Sequence, residues 1–347
     1  MNYNRVTWLD VAKCIGIVLI YLGHFRYDAG LFYEYVFKFH VPLFFFLAGC
    51  SCTYEKELSF TEFLKKKALR ILIPFYVFAF LALITNCIWI GPDHVVINLI
   101  TIAFGCIRNC YCAEGLWFLT CLFVIEIAFK AVRMIKSKTI RILLIVLIIL
   151  LKPLYGQEPR FFFNIDSIYY ILYFALGYYL YPAFNALFEN PKNRKYHILL
   201  FLVTGSFALI ELFDFNPGDN FVIPISWINT ICTTVISSTR AFVLIIFTIL
   251  LSRCLCNVRF MQKIGSDTLY LCGTEYIMKQ FIFGTLGLFG FDKSAGIPWS
   301  TYIYVSVLIV IGTWLVSPLM RRLIKQLQKL VVRLFQKYYK TKRMSLS

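Results

Sequence analysis

Long apolar runs separated by short polar segments dominate the pattern of this chain. A helix that crosses a bilayer needs about 20 mainly apolar residues, and about ten runs approach or exceed that length. They cover residues 8–27, 36–54, 70–90, 113–130, 141–156, 163–184, 197–213, 236–253, 264–289 and 299–320. The pattern therefore predicts an all-α integral membrane protein, built as a bundle of about ten transmembrane helices.

The loops between these runs fall into two sets, one with many basic residues and one with few. On the predicted cytoplasmic side they are Lys56, Lys65, Lys66, Lys67, Arg70, Lys130, Arg133, Lys136, Lys138, Arg141, Lys192, Arg194, Lys195, Arg253, Arg259 and Lys263. On the predicted outer side they are Arg26, Arg108, Lys152, Arg160 and Lys293. Because Lys and Arg are enriched in cytoplasmic loops, this alternation predicts a multi-pass protein of the cell membrane with both termini in the cytoplasm.

The composition agrees with a membrane location. The chain is 60% hydrophobic and 15% charged, with a mean hydropathy of +0.72. Soluble chains are usually about 45–50% apolar and about 25% charged. The net charge of +17 lies in short clusters beside apolar runs. We therefore expect anionic membrane lipids, and no nucleic acid, as partners of these charges, with RNA binding by the basic tail as a minor alternative.

The organisation of the chain is expected to be simple. A single transmembrane domain is predicted over residues 1–320, followed by a basic cytoplasmic tail over 321–347. The first run lacks a small-residue cleavage site, so we expect it to be retained. Cys106, Cys110 and Cys112 cluster in a predicted loop. Their spacing is compatible both with a disulfide and with free thiols. No histidine stands at zinc spacing from them, so no metal site is expected.

The first helix contains the polar residues Asp10, Lys13 and His24. Lys13 and His24 are eleven residues apart, which places them on one helix face, about 16 Å from each other. An ionisable residue inside a membrane is costly unless it faces a cavity or a partner. The pair therefore indicates a polar passage. A local ion pair between Asp10 and Lys13, with His24 as an interfacial ring, is the alternative.

Further polar residues border the next two runs. His40 lies at the predicted outer end of the second run, near the level of His24. The segment "FLKKKALRILIP" places Lys67 and Arg70 one turn apart at the cytoplasmic end of the third run. Two cations fixed at a helix start can bind phosphate, although the distribution of charge between loops also accounts for them.

Several of these segments together resemble a known family. "LDVAKCIGIVLIYLGH", "FKFHVPLFFFLAG" and "FLKKKALRILIP" are similar to the N-terminal part of the membrane acyltransferase 3 family, whose members O-acylate surface polysaccharides and related molecules. That family has a basic residue and a histidine on its first helix, matched by Lys13 and His24. It also has a basic pair before its third helix, matched by Lys67 and Arg70. "GLWFLTCLF" resembles the LWFL segment of the family and contains Trp117.

The chain departs from the family pattern in two respects. In "IGSDTLYLCGTEY", Glu275 stands where the family often has a histidine. Lysine stands at positions 13 and 67, where many members have arginine. The first difference leaves the acid and base roles in the outer pocket open, whereas the second retains the charge.

The resemblance implies transfer of an acyl group, most often acetyl, from cytoplasmic acyl-CoA to a hydroxyl of an extracytoplasmic carbohydrate or glycolipid. Acetyl-CoA is then a donor substrate, and no permanently bound cofactor is expected. Lys13, Lys67 and Arg70 would hold the CoA phosphates. His24 would act as general base, because an imidazole exchanges a proton near neutral pH. A covalent acyl-imidazole relay is the other use of the same ring.

The remaining candidates form a predicted acceptor pocket, in which aromatic rings suit the apolar faces of sugars. They are His40, Glu275, Trp117, Glu114 and Arg240. Asp10 is expected to give structural support. Glu126 is interpreted as the partner of Lys130 in an ion pair at a helix end, because the two are four residues apart.

A transporter or flippase of a small anion or saccharide is the main alternative function, because buried charges also line permeation paths. The chain shows no internal repeat of the kind found in many transporters. A scaffold protein would not need ionisable residues on one helix face. The combination of Lys13 with His24 and of Lys67 with Arg70 favours the acyltransferase.

Overall fold

The chain folds as an assembly of helices. A computed structural model describes residues 6–106, 108, 110–150, 162–189, 193–213, 226–290 and 298–344. It is 87% helical, and no strand occurs among the described residues. The described residues form fifteen α-helices: α1 (Thr7–Gly23), α2 (Phe32–Phe37), α3 (His40–Cys52), α4 (Phe60–Lys67), α5 (Ile73–Trp89), α6 (Val95–Ala103), α7 (Trp117–Met134), α8 (Lys138–Leu150), α9 (Ile171–Glu189), α10 (Arg194–Leu212), α11 (Ser226–Cys254), α12 (Arg259–Ser266), α13 (Thr268–Leu288), α14 (Pro298–Ile311) and α15 (Ser317–Met344).

Helix α1 lies at the centre of this assembly. Its N-terminal part, including Trp8, belongs to a hydrophobic cluster with α3, α9 and α11. Its C-terminal part, including Ile17, belongs to a second cluster with α13 and α14. Helix α12 approaches so closely that a Cβ atom on Gly265 would lie 1.7 Å from the carbonyl oxygen of Asp10. A helix that is apolar on most of its faces is buried, and in α1 Asp10 is buried and Lys13 partly buried.

Helices α3 and α9 pack through two reciprocal glycines. A Cβ atom on Gly49 of α3 would lie 2.0 Å from the carbonyl oxygen of Phe174, and one on Gly177 of α9 would lie 2.0 Å from that of Phe46. Small residues at such positions allow helix backbones in membrane proteins to approach closely. Because α3 begins at His40, this contact also fixes the position of that histidine.

Six helical segments of the described chain are long and apolar enough to cross a membrane. They are Phe32–Cys52, Phe60–Trp89, Phe162–Phe188, Arg194–Leu212, Cys232–Cys254 and Ser300–Lys337. The predicted runs 8–27, 113–130, 141–156 and 264–289 correspond to α1, α7, α8 and α13, which are not in this set. Residues 151–156 of the third of these runs lie outside the described residues.

The lengths and charges of these four helices explain the difference. Helix α1 has 17 residues and is short for a span, and α8 is described only as far as Leu150, because residues 151–161 lie outside the described part of the chain. Helices α7 and α13 contain ionisable residues, among them Glu126 and Glu275, which are buried inside the protein. The all-helical character of the described chain is confirmed, with six candidate spans. The number of ten spans and the cytoplasmic position of both termini stay predictions.

The predicted basic tail belongs to helix α15, which runs unbroken from Ser317 to Met344 across the predicted boundary at residue 320. Arg321 forms an ion pair with Asp267, the residue before α13. Gln328 donates a hydrogen bond to the carbonyl oxygen of Leu69 at 2.9 Å. The first half of α15 therefore packs against the segments that precede α5 and α13, and the division into domain and tail stays a prediction.

The variant Gly177→Ala tests the contact between α3 and α9. The added methyl group would overlap the backbone of α3, and overpacking of this kind costs about 1–3 kcal/mol. We expect the thermal unfolding midpoint of the purified protein in detergent to fall by several degrees, measured by intrinsic fluorescence.

Gly287→Ala in α13 is the matched control, because a Cβ atom there would have no other atom within 4 Å. Alanine favours the helical backbone over glycine, so the midpoint of this variant should equal or exceed that of the unchanged protein. Equal midpoints for the two variants would contradict the close approach of α3 and α9.

Candidate active site

His24 marks the end of α1 and points to α13. Its backbone N–H donates to the carbonyl oxygen of Ile20 at 3.0 Å. Its ring nitrogen Nδ1 lies 2.7 Å from Oε2 of Glu275. The side chain of Glu275 is 7% exposed, whereas that of His24 is 35% exposed. An ionised carboxylate only accepts hydrogen bonds, so the proton of the ring is on Nδ1 in this contact.

Two further contacts connect α13 to the end of α1. Nζ of Lys279 donates to the carbonyl oxygen of His24 at 3.1 Å and lies 3.6 Å from Oε1 of Glu275. The hydroxyl of Tyr21 donates to the carbonyl oxygen of Leu271 at 2.9 Å. A cation at a helix C-terminus also complements the helix dipole. Together these contacts fix the imidazole of His24 against the carboxylate of Glu275.

A cavity of about 1030 Å³, which we call the outer cavity, opens beside His24. His40, Trp117 and Glu275, all predicted for the acceptor pocket, line it. The guanidinium carbon of Arg108 lies 3.6 Å from the centre of the Trp117 ring. Small-molecule sites usually have volumes of about 300–1,000 Å³, so this cavity has room for a sugar-sized ligand.

A second cavity of about 210 Å³, which we call the inner cavity, is lined by the residues predicted to bind acyl-CoA. Lys13, Lys67 and Arg70 line it together, as the sequence analysis expected of a common site. Two carboxylates, Glu55 and Glu126, line it as well. The inner cavity therefore contains charges of both signs, with one more cation than anion among these five side chains.

The two cavities share part of their walls. The residues that line both are His24, His40, Val41, Gly115, Trp117 and Cys272. They come from α1, α3, α13 and the segment at the start of α7. The ring of His24 is therefore accessible from both cavities, which is the central geometric feature of the site.

His40 has a defined orientation within this shared wall. Its Nδ1 lies 2.7 Å from the carbonyl oxygen of Val36. A carbonyl oxygen only accepts, so Nδ1 of His40 donates. The ring also meets Phe37 edge-on, with 5.1 Å between the ring centres. In the neutral ring Nε2 is consequently the nitrogen that accepts hydrogen bonds.

Lys67 lies between two carboxylates at the inner cavity. Its Nζ is 2.8 Å from Oε1 of Glu55 and 2.8 Å from Oε2 of Glu126, and its side chain is 2% exposed. The prediction that Glu126 forms an ion pair with Lys130 is therefore wrong, because its partner is Lys67. Nζ of Lys130 lies instead 5.8 Å from the centre of the Phe63 ring. The buried carboxylate of Glu126 pairs with the buried ammonium of Lys67, because an unpaired buried charge is very costly.

Arg70 differs from Lys67 in its accessibility. Its Nη1 lies 3.3 Å from Oε1 of Glu55, and its side chain is 64% exposed. A guanidinium has five N–H donors, and one contact of this kind leaves others directed away from Glu55. Of the residues predicted to bind acyl-CoA, Arg70 is thus more accessible to a phosphate than Lys67.

Local sequence signals position both basic residues. Ser59 and Glu62 form a capping box, in which Oγ of Ser59 accepts from the Glu62 N–H and a Glu62 oxygen accepts from the Ser59 N–H at 3.1 Å. This motif starts α4 and so fixes the register of Lys67. A π-helical turn, Ala68–Leu72, then joins α4 to α5. Such turns are frequent at functional sites, and this one contains Arg70.

Of the residues predicted for the acceptor pocket, Arg240 lies elsewhere, and the side chain of Glu114 is outside the described residues. Arg240 in α11 lines neither cavity, and its Nε lies 3.1 Å from Oε1 of Glu211. Lys38 lies 3.1 Å from the other oxygen of Glu211. Arg240 therefore belongs to a separate cluster of charges. Glu114 occupies a 3-10 turn directly before Gly115, and its side chain lies outside the described residues.

The cysteines of the loop between α6 and α7 are free thiols. Sγ atoms of Cys110 and Cys112 are 3.4 Å apart, too far for a bond, and both residues line the outer cavity. The contact with Cys112 lowers the pKa of Cys110 to about 7. Cys106, the third cysteine of this predicted cluster, interacts with the carbonyl oxygen of Phe104.

Sequence reasoning missed the site roles of Glu55, Arg108 and Lys279. Glu55 lies in a short charged loop, where its carboxylate resembled an ordinary surface charge. Lys279 could have been found, because it follows Glu275 by four residues, the spacing of an ion pair on a helix. The contact between Arg108 and Trp117 joins a loop to a helix and has no spacing signal of its own.

The fold and the site define a helical membrane protein with a histidine in the wall shared by two cavities and a buried carboxylate in contact with that histidine. Comparison with known families matches residues 6–318 to the acyltransferase domain. The chain therefore belongs to the acyltransferase 3 family, and the resemblance found in the sequence is confirmed. The family supports an acyltransferase, and the family and the apolar helices together indicate a membrane protein. No curated protein and no solved structure matches the chain.

Replacing Lys67 tests the ion cluster at the inner cavity. In Lys67→Met, two carboxylates lose the buried cation between them, and breaking a buried pair in this way costs about 3–5 kcal/mol. We expect a large fall in the thermal midpoint, or loss of folded protein during extraction. The measurement is thermal unfolding in detergent, monitored by circular dichroism.

A second variant separates this loss of charge from a packing defect. Lys67→Met combined with Glu126→Gln removes one of the uncompensated carboxylates, so part of the stability should return. Arg70→Met is the control with the same change of charge, and its exposed ion pair contributes only about 0–1 kcal/mol. Equal losses in Lys67→Met and Arg70→Met would contradict the cluster.

Proposed function

We propose that the protein is a membrane O-acyltransferase that moves an acetyl group from cytoplasmic acetyl-CoA to a hydroxyl of an extracytoplasmic carbohydrate or glycolipid. The observation that carries this proposal is the position of His24, which lines both the inner and the outer cavity. A donor that enters one cavity and an acceptor that enters the other would meet at this ring.

The donor would occupy the inner cavity. Its volume of about 210 Å³ suits the acyl end and the thin pantetheine arm of acyl-CoA rather than the whole molecule. The phosphates would then remain at the mouth, where the exposed Arg70 can form charge-assisted hydrogen bonds. Lys13 lines the same cavity and would add positive charge along the arm. We assign Lys67 to this site chiefly as the cation that holds Glu55 and Glu126 in place.

His24 would act as general base. The acceptor hydroxyl donates its proton to Nε2 of His24 while its oxygen forms a bond with the thioester carbonyl carbon. The tetrahedral intermediate then collapses, the carbon–sulfur bond breaks, and the departing thiolate takes the proton from the imidazolium. The products are the O-acylated acceptor and CoA, with the ring returned to its first state.

Glu275 would orient the base. Its carboxylate accepts from Nδ1–H, which leaves Nε2 as the basic nitrogen, and it stabilises the imidazolium that forms during transfer. Serine hydrolases use the same arrangement of a carboxylate behind a histidine. A covalent acyl-imidazole at Nε2 would use the same geometry, and the two routes differ in whether acetyl label resides on the protein between steps.

His24→Ala and Glu275→Gln test these roles. General-base catalysis typically contributes about 10²–10⁴-fold, so His24→Ala should lose at least about 10²-fold in kcat. In Glu275→Gln an amide NH₂ can donate to Nδ1 and favour the wrong tautomer, so kcat should fall by a comparable factor while KM for acetyl-CoA stays the same. The measurement is transfer of label from radioactive acetyl-CoA to acceptor in membranes that contain the protein.

His197→Ala is the matched control, because this histidine lies in α10 and its Nε2 lies 3.0 Å from the carbonyl oxygen of Leu187. Its activity should equal that of the unchanged protein. Undiminished transfer of label in His24→Ala would contradict the assignment of His24 as the general base. Saccharide uptake into vesicles without any transfer of label would favour a transporter instead.

A further inference from the structure

The lining of the outer cavity is strongly biased in charge. Arg26, Arg108 and Lys279 line it, whereas Glu275 is the single carboxylate among its described lining residues. The carboxylate of Glu275 is already in contact with His24 and Lys279. The cavity therefore presents a surplus of positive charge to any ligand that enters it, and a concave wall of one sign concentrates ligands of the opposite sign.

Arg108 is held in an orientation suited to an anion. Its guanidinium lies over the ring of Trp117, at 3.6 Å from the ring centre. Stacking occupies one flat face of the group, but the N–H donors lie in its plane and point away from the ring. Its Nε is buried and has no hydrogen-bond partner in the part of the chain that the structure describes. A buried donor without a partner requires an explanation, and a bound ligand group would satisfy it.

Arg26 reaches the same cavity by an unfavourable backbone conformation. Its φ angle is +56°, in the left-handed region that residues with a Cβ rarely adopt. Such conformations cluster at ligand sites, where the surrounding structure holds them. The side chain is exposed and lines the cavity. Two of the few basic residues of the predicted outer loops are thus directed to one cavity.

We propose that the acceptor is an anionic carbohydrate or glycolipid, whose carboxylate or phosphate is bound by Arg108 and Arg26 while its hydroxyl faces His24. This inference rests on the proposed function and adds the chemical class of the acceptor. A guanidinium matches a carboxylate or a phosphate with two parallel hydrogen bonds. A neutral sugar would compensate neither cation.

The charge of the product tests the inference directly. Membranes that contain the full chain are incubated with radioactive acetyl-CoA and a glycan and glycolipid extract of the producing cells. The labelled product is digested to its smallest labelled fragment and applied to an anion-exchange column at neutral pH. We expect the label to be retained. Loss of retention after phosphatase identifies a phosphate monoester, loss after carbodiimide amidation identifies a carboxylate, and loss only after phosphodiesterase followed by phosphatase identifies a phosphodiester.

Label in the unretained, neutral fraction would overturn the inference while leaving the acyltransferase intact. Absence of any labelled product would instead count against the proposed function itself. The two failures are therefore distinguishable, and neither depends on a variant that has to fold.

Variants then test the assigned residues. Arg108→Gln and Arg26→Gln should each raise the apparent KM for the acceptor extract about tenfold, the effect of one lost charge-assisted contact, with KM for acetyl-CoA unchanged. Arg108→Lys keeps the charge but loses the planar arrangement of N–H donors. Its KM for the acceptor should therefore lie between those of the unchanged protein and of Arg108→Gln. Added salt should raise KM for the acceptor in the unchanged protein and raise it less in the variants.

Asp28→Asn is the matched control, since Asp28 lies two residues from Arg26 in the same exposed turn and does not line the outer cavity. It should leave KM for the acceptor within about twofold, as expected of a surface substitution. An unchanged KM and an unchanged salt response in both arginine variants would overturn the assignment of the anion to these residues.

Discussion

The contact between His24 and Glu275 is the interaction on which the site depends. It joins the C-terminal end of α1 to the middle of α13 across 251 residues of chain, with 2.7 Å between Nδ1 and Oε2. Helix α1 has few exposed faces, so its end is fixed by its neighbours on all sides. Because the helix is rigid, fixing its end also fixes Lys13 at the inner cavity. One buried contact thus sets the geometry between the two cavities.

Two groups of buried ions among the described residues are compensated by neighbouring charges. Lys67 is matched by Glu55 and Glu126, and Glu275 is matched by His24 and Lys279. Isolated charges would be very costly at these positions, since desolvation exceeds what a single distant partner returns. The accessible cations Arg70 and Arg26 line the inner and the outer cavity, respectively. Compensation inside and surplus charge at the mouths would allow anionic groups to bind without destabilising the bundle.

Local patterns predicted much of the fold and part of the site. The apolar runs correspond to helices, and the spacing of Lys13 and His24 placed both on one face because a helix has a fixed period. The partner of His24, by contrast, depends on how α1 packs against α13, which no local pattern records. The same limit explains Arg240, which Glu211 binds outside the two cavities, and Glu126, which meets Lys67 rather than the neighbouring Lys130. The count of ten spans used apolar length together with the alternation of basic loops, and four of its runs, those of α1, α7, α8 and α13, are not among the six spans found in the described residues.

Glu275 stands where the family pattern often has a histidine, and the surrounding residues show why a carboxylate is suitable here. A neutral imidazole could hold His24 by a hydrogen bond but would not balance the charge of an imidazolium. In the proposed mechanism, the group of His24, Glu275 and Lys279 would be neutral while His24 is neutral and would gain one positive charge when the ring accepts a proton. Lys279 would compensate the carboxylate in the first state, and Glu275 would stabilise the imidazolium in the second. The carboxylate and the neighbouring lysine would thus act together on the ring of His24.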